Sequence, residues 1–182
     1  MKAGSGKRKG SSFERRVCHL LSMWISNGKH DDLFWRSSMS GGRAKVVFKK
    51  GGQNRTQCGD ISSIHPDGNP LTDRYLVSCK FYKSLNIEGT VIGNKGGLTA
   101  FWTECVIEAK QFNKIPMLIA KQNNTLPFLC LDDVGTSDFG LLGKAIAQLP
   151  TAGGMQIFWL EKFLQIASRP PNVFSWPKIK AR

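Results

Sequence analysis

The sequence lacks the patterns of several large protein classes. No apolar run is long enough for a membrane-spanning helix, and the charged N-terminus is not followed by the apolar core of a signal peptide. The GxxxxGK(S/T) loop of nucleotide hydrolases is absent, and so is the GxSxG turn that carries a catalytic serine. A membrane protein, a P-loop nucleotide hydrolase and a serine hydrolase are therefore not expected.

Paired cysteines are also missing. The five cysteines are odd in number and scattered, without a CxxC pair, and the adjacent Cys18 and His19 have no second Cys/His pair at ligand spacing. Disulfide frameworks and structural zinc sites need such pairs. The cysteines therefore predict free thiols in a reducing cytoplasm.

Acidic residues are scarce. The 182 residues include 26 Lys and Arg but only 13 Asp and Glu, which gives a formal net charge of +13. Residues 33–59 contain no acid. This distribution favours binding to the phosphates of a nucleic acid, and the alternative is an ordinary basic soluble protein. The cations of this stretch are Arg36, Arg43, Lys45, Lys49, Lys50 and Arg55.

Length and hydrophobic periodicity predict one domain over residues 11–168, after a disordered basic arm (1–10) and before a basic tail (169–182). The first helix should begin at Ser11 or Ser12 and end at Asn27-Gly28. The order of elements predicts an α/β fold with a mixed central β-sheet flanked by helices. We expect strands at 33–37, 44–49, 60–65, 74–82, 116–121 and 126–131, a turn at 66–70, an irregular stretch at 83–98, helices at 99–113 and 137–148, and a strand passing into a helix at 155–168.

Asp60 and Lys80 are the residues best suited to carry chemistry. Asp60 opens one strand, and Lys80 lies in the next, where alternation places Ser78, Lys80 and Tyr82 on the same face. Neighbouring strands can bring a carboxylate and an ammonium group together, and metal-assisted cleavage of a phosphodiester uses such a pair. The alternatives are a turn aspartate and a solvated lysine at the end of a strand.

The order of short motifs resembles a known family. Glu14 stands in the N-terminal helix, Ser40-Gly41 follows a strand with Arg36, Gly59-Asp60 precedes the strand of Lys80, and a helix and a strand led by Pro116 come next. Over about residues 11–133 this order resembles the PD-(D/E)XK nuclease superfamily, in particular the archaeal-type Holliday junction resolvases and their phage relatives. The resemblance implies a restriction-endonuclease-like core.

The resemblance also implies an activity. We expect an endonuclease that uses Mg²⁺, or Mn²⁺ as a substitute, to cut DNA, with branched DNA favoured, as a homodimer in the cytoplasm of a prokaryotic cell or phage-infected host. A restriction-type or replication-type nuclease and a catalytically inactive DNA-binding protein on a nuclease scaffold are the alternatives. The implied catalytic residues are Lys80, Asp60 and Glu14, the implied metal ligands are Asp60, Glu14 and the Cys79 carbonyl, and the implied phosphate contacts are Arg36, Ser40, Gly41 and Arg43.

Two residues complicate the resemblance. Ser78 stands where the family has an acid, and a neutral hydroxyl is a poor ligand for Mg²⁺. Either an acid of the following helix replaces it or the site is inactive. At ~100° per residue, Glu108 falls about 20° outside the apolar face of that helix and Glu104 about 60° outside, so Glu108 is the expected metal ligand and Glu104 the solvated residue. Glu14 also has an alternative structural role, because Ser11-x-x-Glu14 matches a helix capping box.

Overall fold

The computed structural model describes residues 5–37, 58–93, 96–151 and 154–169, and within them six α-helices and seven strands. Short turns and one 3-10 helix, Pro66–Gly68, connect several of these elements. In chain order the elements are α1 (Ser5–Ile25), β1 (Phe34–Arg36), β2 (Ile61–Ser63), α2 (Asn69–Arg74), β3 (Tyr75–Tyr82), α3 (Ile87–Gly93), α4 (Gly97–Gln111), β4 (Ile115–Gln122), β5 (Phe128–Leu131), α5 (Asp133–Asp138), β6 (Ala147–Leu149), β7 (Met155–Trp159) and α6 (Leu160–Ile166).

A mixed five-stranded sheet forms the centre, in the order β3-β4-β5-β7-β6. Strands β3 and β4 are parallel, from Tyr75 opposite Ile115 to Tyr82 opposite Gln122, and the other neighbours are antiparallel. Strands β1 and β2 form a separate antiparallel pair. The sheet and its flanking helices confirm the expected α/β fold with a mixed central sheet.

Strand β3 separates two buried clusters. On one side, Val77 and Cys79 pack in the same cluster as the apolar residues of α1, which are buried at the predicted helical spacing. On the other side, Leu76 packs with Trp102 of α4. Since side chains alternate along a strand, the even-numbered residues of β3 face α4 and the odd-numbered residues face α1.

The first helix begins earlier than the sequence predicts. It starts at Ser5, so residues 5–10 are helical rather than part of a disordered arm, and residues 1–4 lie outside the described part of the chain. Packing already stabilises this helix, so each residue added at its start gains a hydrogen bond without the cost of nucleation. Lys and Arg are also good helix formers. Lys9 also places its ammonium group 6.0 Å from the centre of the Phe81 ring. Glu14 consequently lies in the third turn, which excludes the capping box.

The predicted helix at 137–148 is wrong. The helix here is α5, which ends at Asp138, and β6 follows as an edge strand of the sheet. Glycines at 140 and 143 have φ of +67° and +73°, a left-handed conformation that ends a helix. Asp132 caps the start of α5 by accepting a hydrogen bond from the Gly135 N–H.

Two segments expected to be irregular are partly helical. The turn at 66–70 contains the 3-10 helix and the start of α2, while the 83–98 stretch contains α3. The Asn86 side chain accepts from the Gly89 N–H, as an N-cap residue does. The predicted strand at 44–49 and the tail beyond residue 169 lie outside the described residues. None of the described helices is long and apolar enough to cross a membrane.

Candidate active site

A tight turn brings Asp60 to the edge of β3. Gly59 has φ of +78°, and a side chain there would place its Cβ 2.7 Å from the Val77 carbonyl oxygen. Only glycine fits this approach without strain. The Asp60 N–H then donates to the same carbonyl at 2.8 Å. The predicted proximity of Asp60 to the lysine strand therefore has a direct backbone cause.

Two donors orient the Asp60 carboxylate. Its Oδ2 accepts from the Cys79 N–H at 2.7 Å and from the Ser78 hydroxyl at 3.3 Å. Among the described residues no donor reaches Oδ1, so this oxygen keeps both lone pairs available. Ser78, where the resembled family has an acid, is 6% exposed and acts here as a partner of Asp60.

The Asp60 carboxylate borders a cavity of about 310 Å³ between β3 and α4. Lys80 lies 4.0 Å from the Glu104 carboxylate and 5.2 Å from the centre of the Phe101 ring. The cavity therefore collects Asp60, Lys80 and Glu108, which the sequence analysis placed together, and also Glu104, which it did not. Its lining residues are Gly59, Asp60, Ser78, Lys80, Glu104, Cys105, Ile107, Glu108 and Gln111.

Both candidate acids of α4 border the cavity. Glu108 is partly buried there, as the angular estimate predicts. Glu104 is exposed over 66% of its side chain, also as predicted, but it is the acid that pairs with Lys80. The sequence did not predict the pairing of Glu104 with Lys80, because only the angle between Glu104 and the apolar face of the helix was considered. The available signal was the spacing of 101, 104 and 108, which places three residues on one helix face.

Glu14 does not border the cavity. Its Oε2 accepts a hydrogen bond from Nε of Arg36, and its side chain is only 17% exposed. Helix α1 packs against the side of β3 that carries Val77 and Cys79, away from Ser78 and Lys80. The structure therefore brings Asp60 and Lys80 to one cavity, whereas Glu14 does not line that cavity and pairs with Arg36.

The cysteines are buried free thiols, as the sequence predicts. Burial raises the pKa of the Cys79 thiol well above its ordinary value, and the neighbouring negative charge of Asp60 adds to this. Burial, with a further contribution from Glu108, likewise raises the pKa of Cys105. Both thiols therefore stay protonated at neutral pH, which makes them poor nucleophiles. The group of Cys79 that is expected at a metal is its backbone carbonyl.

Residues 5–139 match the family model described as "Phage putative PDDEXK endonuclease". The chain belongs to this PDDEXK family. No curated protein and no solved structure matches the chain. The matched residues run from α1 to just beyond α5 and include every residue that lines the cavity. PDDEXK nucleases act on DNA and generally use divalent metal ions.

The cavity of this PDDEXK protein fits a hard divalent cation bound by few protein ligands. Asp60 offers a free carboxylate oxygen, and the carboxylates of Glu104 and Glu108 border the same space. Within the described residues no group of three or more His, Cys, Asp or Glu side chains could hold a metal. Mg²⁺ needs no such cage, because it commonly keeps several waters and binds one or two carboxylates plus substrate phosphates.

Most of the expected DNA contacts cannot be placed in this PDDEXK structure. Only Arg36 lies in the described part of the chain, where its side chain is 33% exposed beside Glu14. The others, Ser40, Gly41, Arg43, Lys45, Lys49, Lys50 and Arg55, lie outside the described residues.

Proposed function

We propose that this protein is a metal-dependent endonuclease that hydrolyses phosphodiester bonds in branched DNA, in the manner of a Holliday junction resolvase. The observation that carries the proposal is the Asp60 carboxylate, held by two donors with one oxygen free, at the cavity that also contains Lys80. A homodimer that cuts two strands in the cytoplasm belongs to the same proposal.

Asp60 is the main ligand of Mg²⁺ or Mn²⁺ in this proposal, with Glu108 and the Cys79 carbonyl as the further protein ligands. The hydrogen bonds from Cys79 and Ser78 fix the orientation of Asp60, so little reorganisation is needed when the ion binds. Such an ion, when bound, polarises a phosphate oxygen and lowers the pKa of a water molecule. Glu14 is not among the proposed metal ligands, because its carboxylate is already paired with Arg36.

Lys80 orients the attacking water and stabilises the negative charge that develops on the phosphate. Its side chain is 27% exposed, and its ammonium group pairs with Glu104 at 4.0 Å. A pair with so exposed a carboxylate contributes little stability, so a phosphate can take the place of Glu104 at small cost. Lys80 is thus held in position without being committed to a strong partner.

The test is a cleavage assay on four-way junction, flap and linear duplex DNA of matched sequence, each in Mg²⁺, Mn²⁺ and EDTA. We expect cleavage in either metal, fastest on the branched substrates, none in EDTA, and a rate at least about 100-fold lower with Asp60→Asn. Equal cutting of all three DNAs would overturn the branched-DNA preference. Binding without cleavage in both metals would overturn the enzymatic assignment.

A catalytically inactive DNA-binding protein is the second candidate. Ser78 in place of an acid favours it, and so does the finding that, among the described residues, no group of three or more His, Cys, Asp or Glu side chains could hold a metal ion. In that case Ser78→Glu alone should create cleavage, because it would add the missing carboxylate next to Asp60. If the wild-type protein already cleaves, this candidate is eliminated.

A further inference from the structure

An aromatic pair formed by exposed Tyr82 and partly buried Phe101 continues the active-site face of β3 beyond Lys80. Tyr82, two residues further along the same face, has its ring centre 4.7 Å from that of Phe101, with an interplanar angle of 30°. The Lys80 ammonium group lies 5.2 Å from the same Phe101 ring. The Tyr82/Phe101 pair therefore adjoins the cavity at its Lys80 end.

Tyr82 is open to a ligand. It is 47% exposed although aromatic side chains normally bury most of their surface. The end of β3 is also rich in cations: Lys83 is exposed, and on the other side of the strand Lys9 and Lys121 lie 6.0 Å and 5.6 Å from the centre of the Phe81 ring. An exposed aromatic ring among lysines is the combination that binds single-stranded nucleic acid.

We propose that Tyr82 stacks against an unpaired base of the DNA, one or two nucleotides from the phosphate that Lys80 contacts. This inference rests on the proposed function and specifies its substrate as DNA with an unpaired nucleotide beside the cut. Two residues of a strand span about 7 Å, and successive nucleotides of one DNA strand rise by about 3.4 Å. A base on Tyr82 and a phosphate at Lys80 therefore belong to neighbouring nucleotides.

Paired DNA cannot use this surface in the same way. In a duplex each base is covered above and below by its neighbours, and only base edges and the backbone are accessible. A base face becomes available where stacking is interrupted, as at a flap, an end or an open branch point, and enzymes that use a flipped base must unstack it first. Tyr82 therefore favours branched DNA over continuous duplex, without reading its sequence.

The experiment measures binding in EDTA, with 2-aminopurine as the unpaired nucleotide beside the branch point of a flap DNA. Wild-type protein should quench the 2-aminopurine fluorescence by stacking. Tyr82→Ala should abolish the quenching and weaken flap binding by about 5- to 150-fold, the effect of one lost aromatic stack. Tyr82→Phe should retain both, and a fully paired duplex should bind wild type and Tyr82→Ala equally.

Trp159 of β7 provides the matched control, since it is also an exposed aromatic residue, at 41%, but on a strand two positions beyond β4 in the sheet. Trp159→Ala should leave quenching and affinity unchanged. The inference is overturned if Tyr82→Ala quenches and binds like wild type, if it loses flap and duplex binding equally, or if it changes the oligomeric state, which would make this surface a contact between copies of the chain.

Because the experiment uses no metal, its result is independent of cleavage. Loss of quenching in Tyr82→Ala together with a wild-type protein that never cuts DNA would support the stacking contact and overturn the endonuclease proposal. Cleavage of branched DNA together with unchanged quenching in Tyr82→Ala would support the endonuclease proposal and overturn the stacking contact.

Discussion

The two sides of β3 differ in how their polar groups are used. On the α1 side, Glu14 and Arg36 are bound to each other, and Cys79 is a buried, protonated thiol. On the α4 side, no donor of the described residues reaches Oδ1 of Asp60, and Lys80 pairs with an exposed carboxylate. One strand thus separates a closed, structural side from an open side whose groups remain available for a metal ion and a phosphate.

This difference shows why motif order alone does not identify the metal ligands. Glu14 and Asp60 both stand where the family has acids, but the partners of a carboxylate decide whether it is available. An acid already paired with an arginine must lose that pair before it can bind a cation. We therefore propose that the chemistry of this protein takes place on the α4 side of β3.

The largest expected effect is on cleavage when a residue of the open side is changed. Asp60→Asn removes the charge that holds the metal, and Lys80→Ala removes a group that acts mainly in the transition state. Each should reduce the cleavage rate by about 100- to 10,000-fold and leave DNA affinity nearly unchanged. Single-turnover cleavage and fluorescence anisotropy measure the two quantities.

Asp73→Asn serves as the control, because Asp73 is an exposed aspartate of α2 that does not border the cavity. It should cut at the wild-type rate. Wild-type cleavage by either Asp60→Asn or Lys80→Ala would remove that residue from the active site.

The next effect separates the two acids of α4. Glu108→Gln should reduce cleavage by at least about tenfold, the lower bound for losing support to a metal, whereas Glu104→Gln should change it only about two- to fivefold, since its pair with Lys80 is exposed. Ser78→Glu should partly rescue Glu108→Gln, because both carboxylates would serve the same metal. The measurement is cleavage at several Mg²⁺ concentrations.

A larger loss in Glu104→Gln than in Glu108→Gln would reverse the roles of these two residues. Full activity in Glu108→Gln combined with a neutral Ser78→Glu would show that Asp60, a carbonyl and water suffice.

A smaller effect is expected on stability when the closed side is changed. Glu14→Gln breaks the charge pair with Arg36 and should reduce the free energy of unfolding by about 1–2 kcal/mol, while cleavage well below the melting temperature stays near wild type. Urea unfolding and single-turnover cleavage measure these effects. Glu161→Gln, an exposed glutamate of α6, should change stability by less than about 0.5 kcal/mol. An inactive but fully stable Glu14→Gln protein would contradict the division between the two sides.

The smallest effect is the pH response of a thiol on the closed side. Burial raises the pKa of Cys18 from 9.0 to about 12, with Glu14 as a secondary cause. Between these values the unfolded thiol loses its proton while the folded thiol keeps it, so this contribution to stability is complete below pH 9 and is lost as the pH rises above 9. At pH 10 the loss should be about 1 kcal/mol. Urea unfolding at pH 8 and pH 10 should show a smaller pH effect in Cys18→Ser than in wild type.

Local pattern predicted much of the open side. Alternation along β3 placed Ser78 and Lys80 on one face, and both border the cavity. Gly59 precedes Asp60 in the motif that carries the resemblance, and its close approach to Val77 is the reason that only glycine fits. These features depend on neighbours in sequence or on strand period, which a single sequence displays.

Tertiary partners were not predictable in this way. Arg36 lies 22 residues from Glu14, and nothing in the spacing of the two indicates that they pair. The start of α1 at Ser5 and the end of α5 at Asp138 also differ from the periodic pattern. Packing decided the start of α1, and left-handed glycines decided the end of α5. The hydrophobic period of the sequence carries no information on these two causes.

The most direct test of this account is Mn²⁺ binding to the protein without DNA, measured by electron paramagnetic resonance for wild type, Asp60→Asn and Glu14→Gln. If the metal binds on the α4 side of β3, Asp60→Asn should lose binding and Glu14→Gln should bind Mn²⁺ as wild type does. Loss of binding in Glu14→Gln, or wild-type binding in Asp60→Asn, would contradict the account.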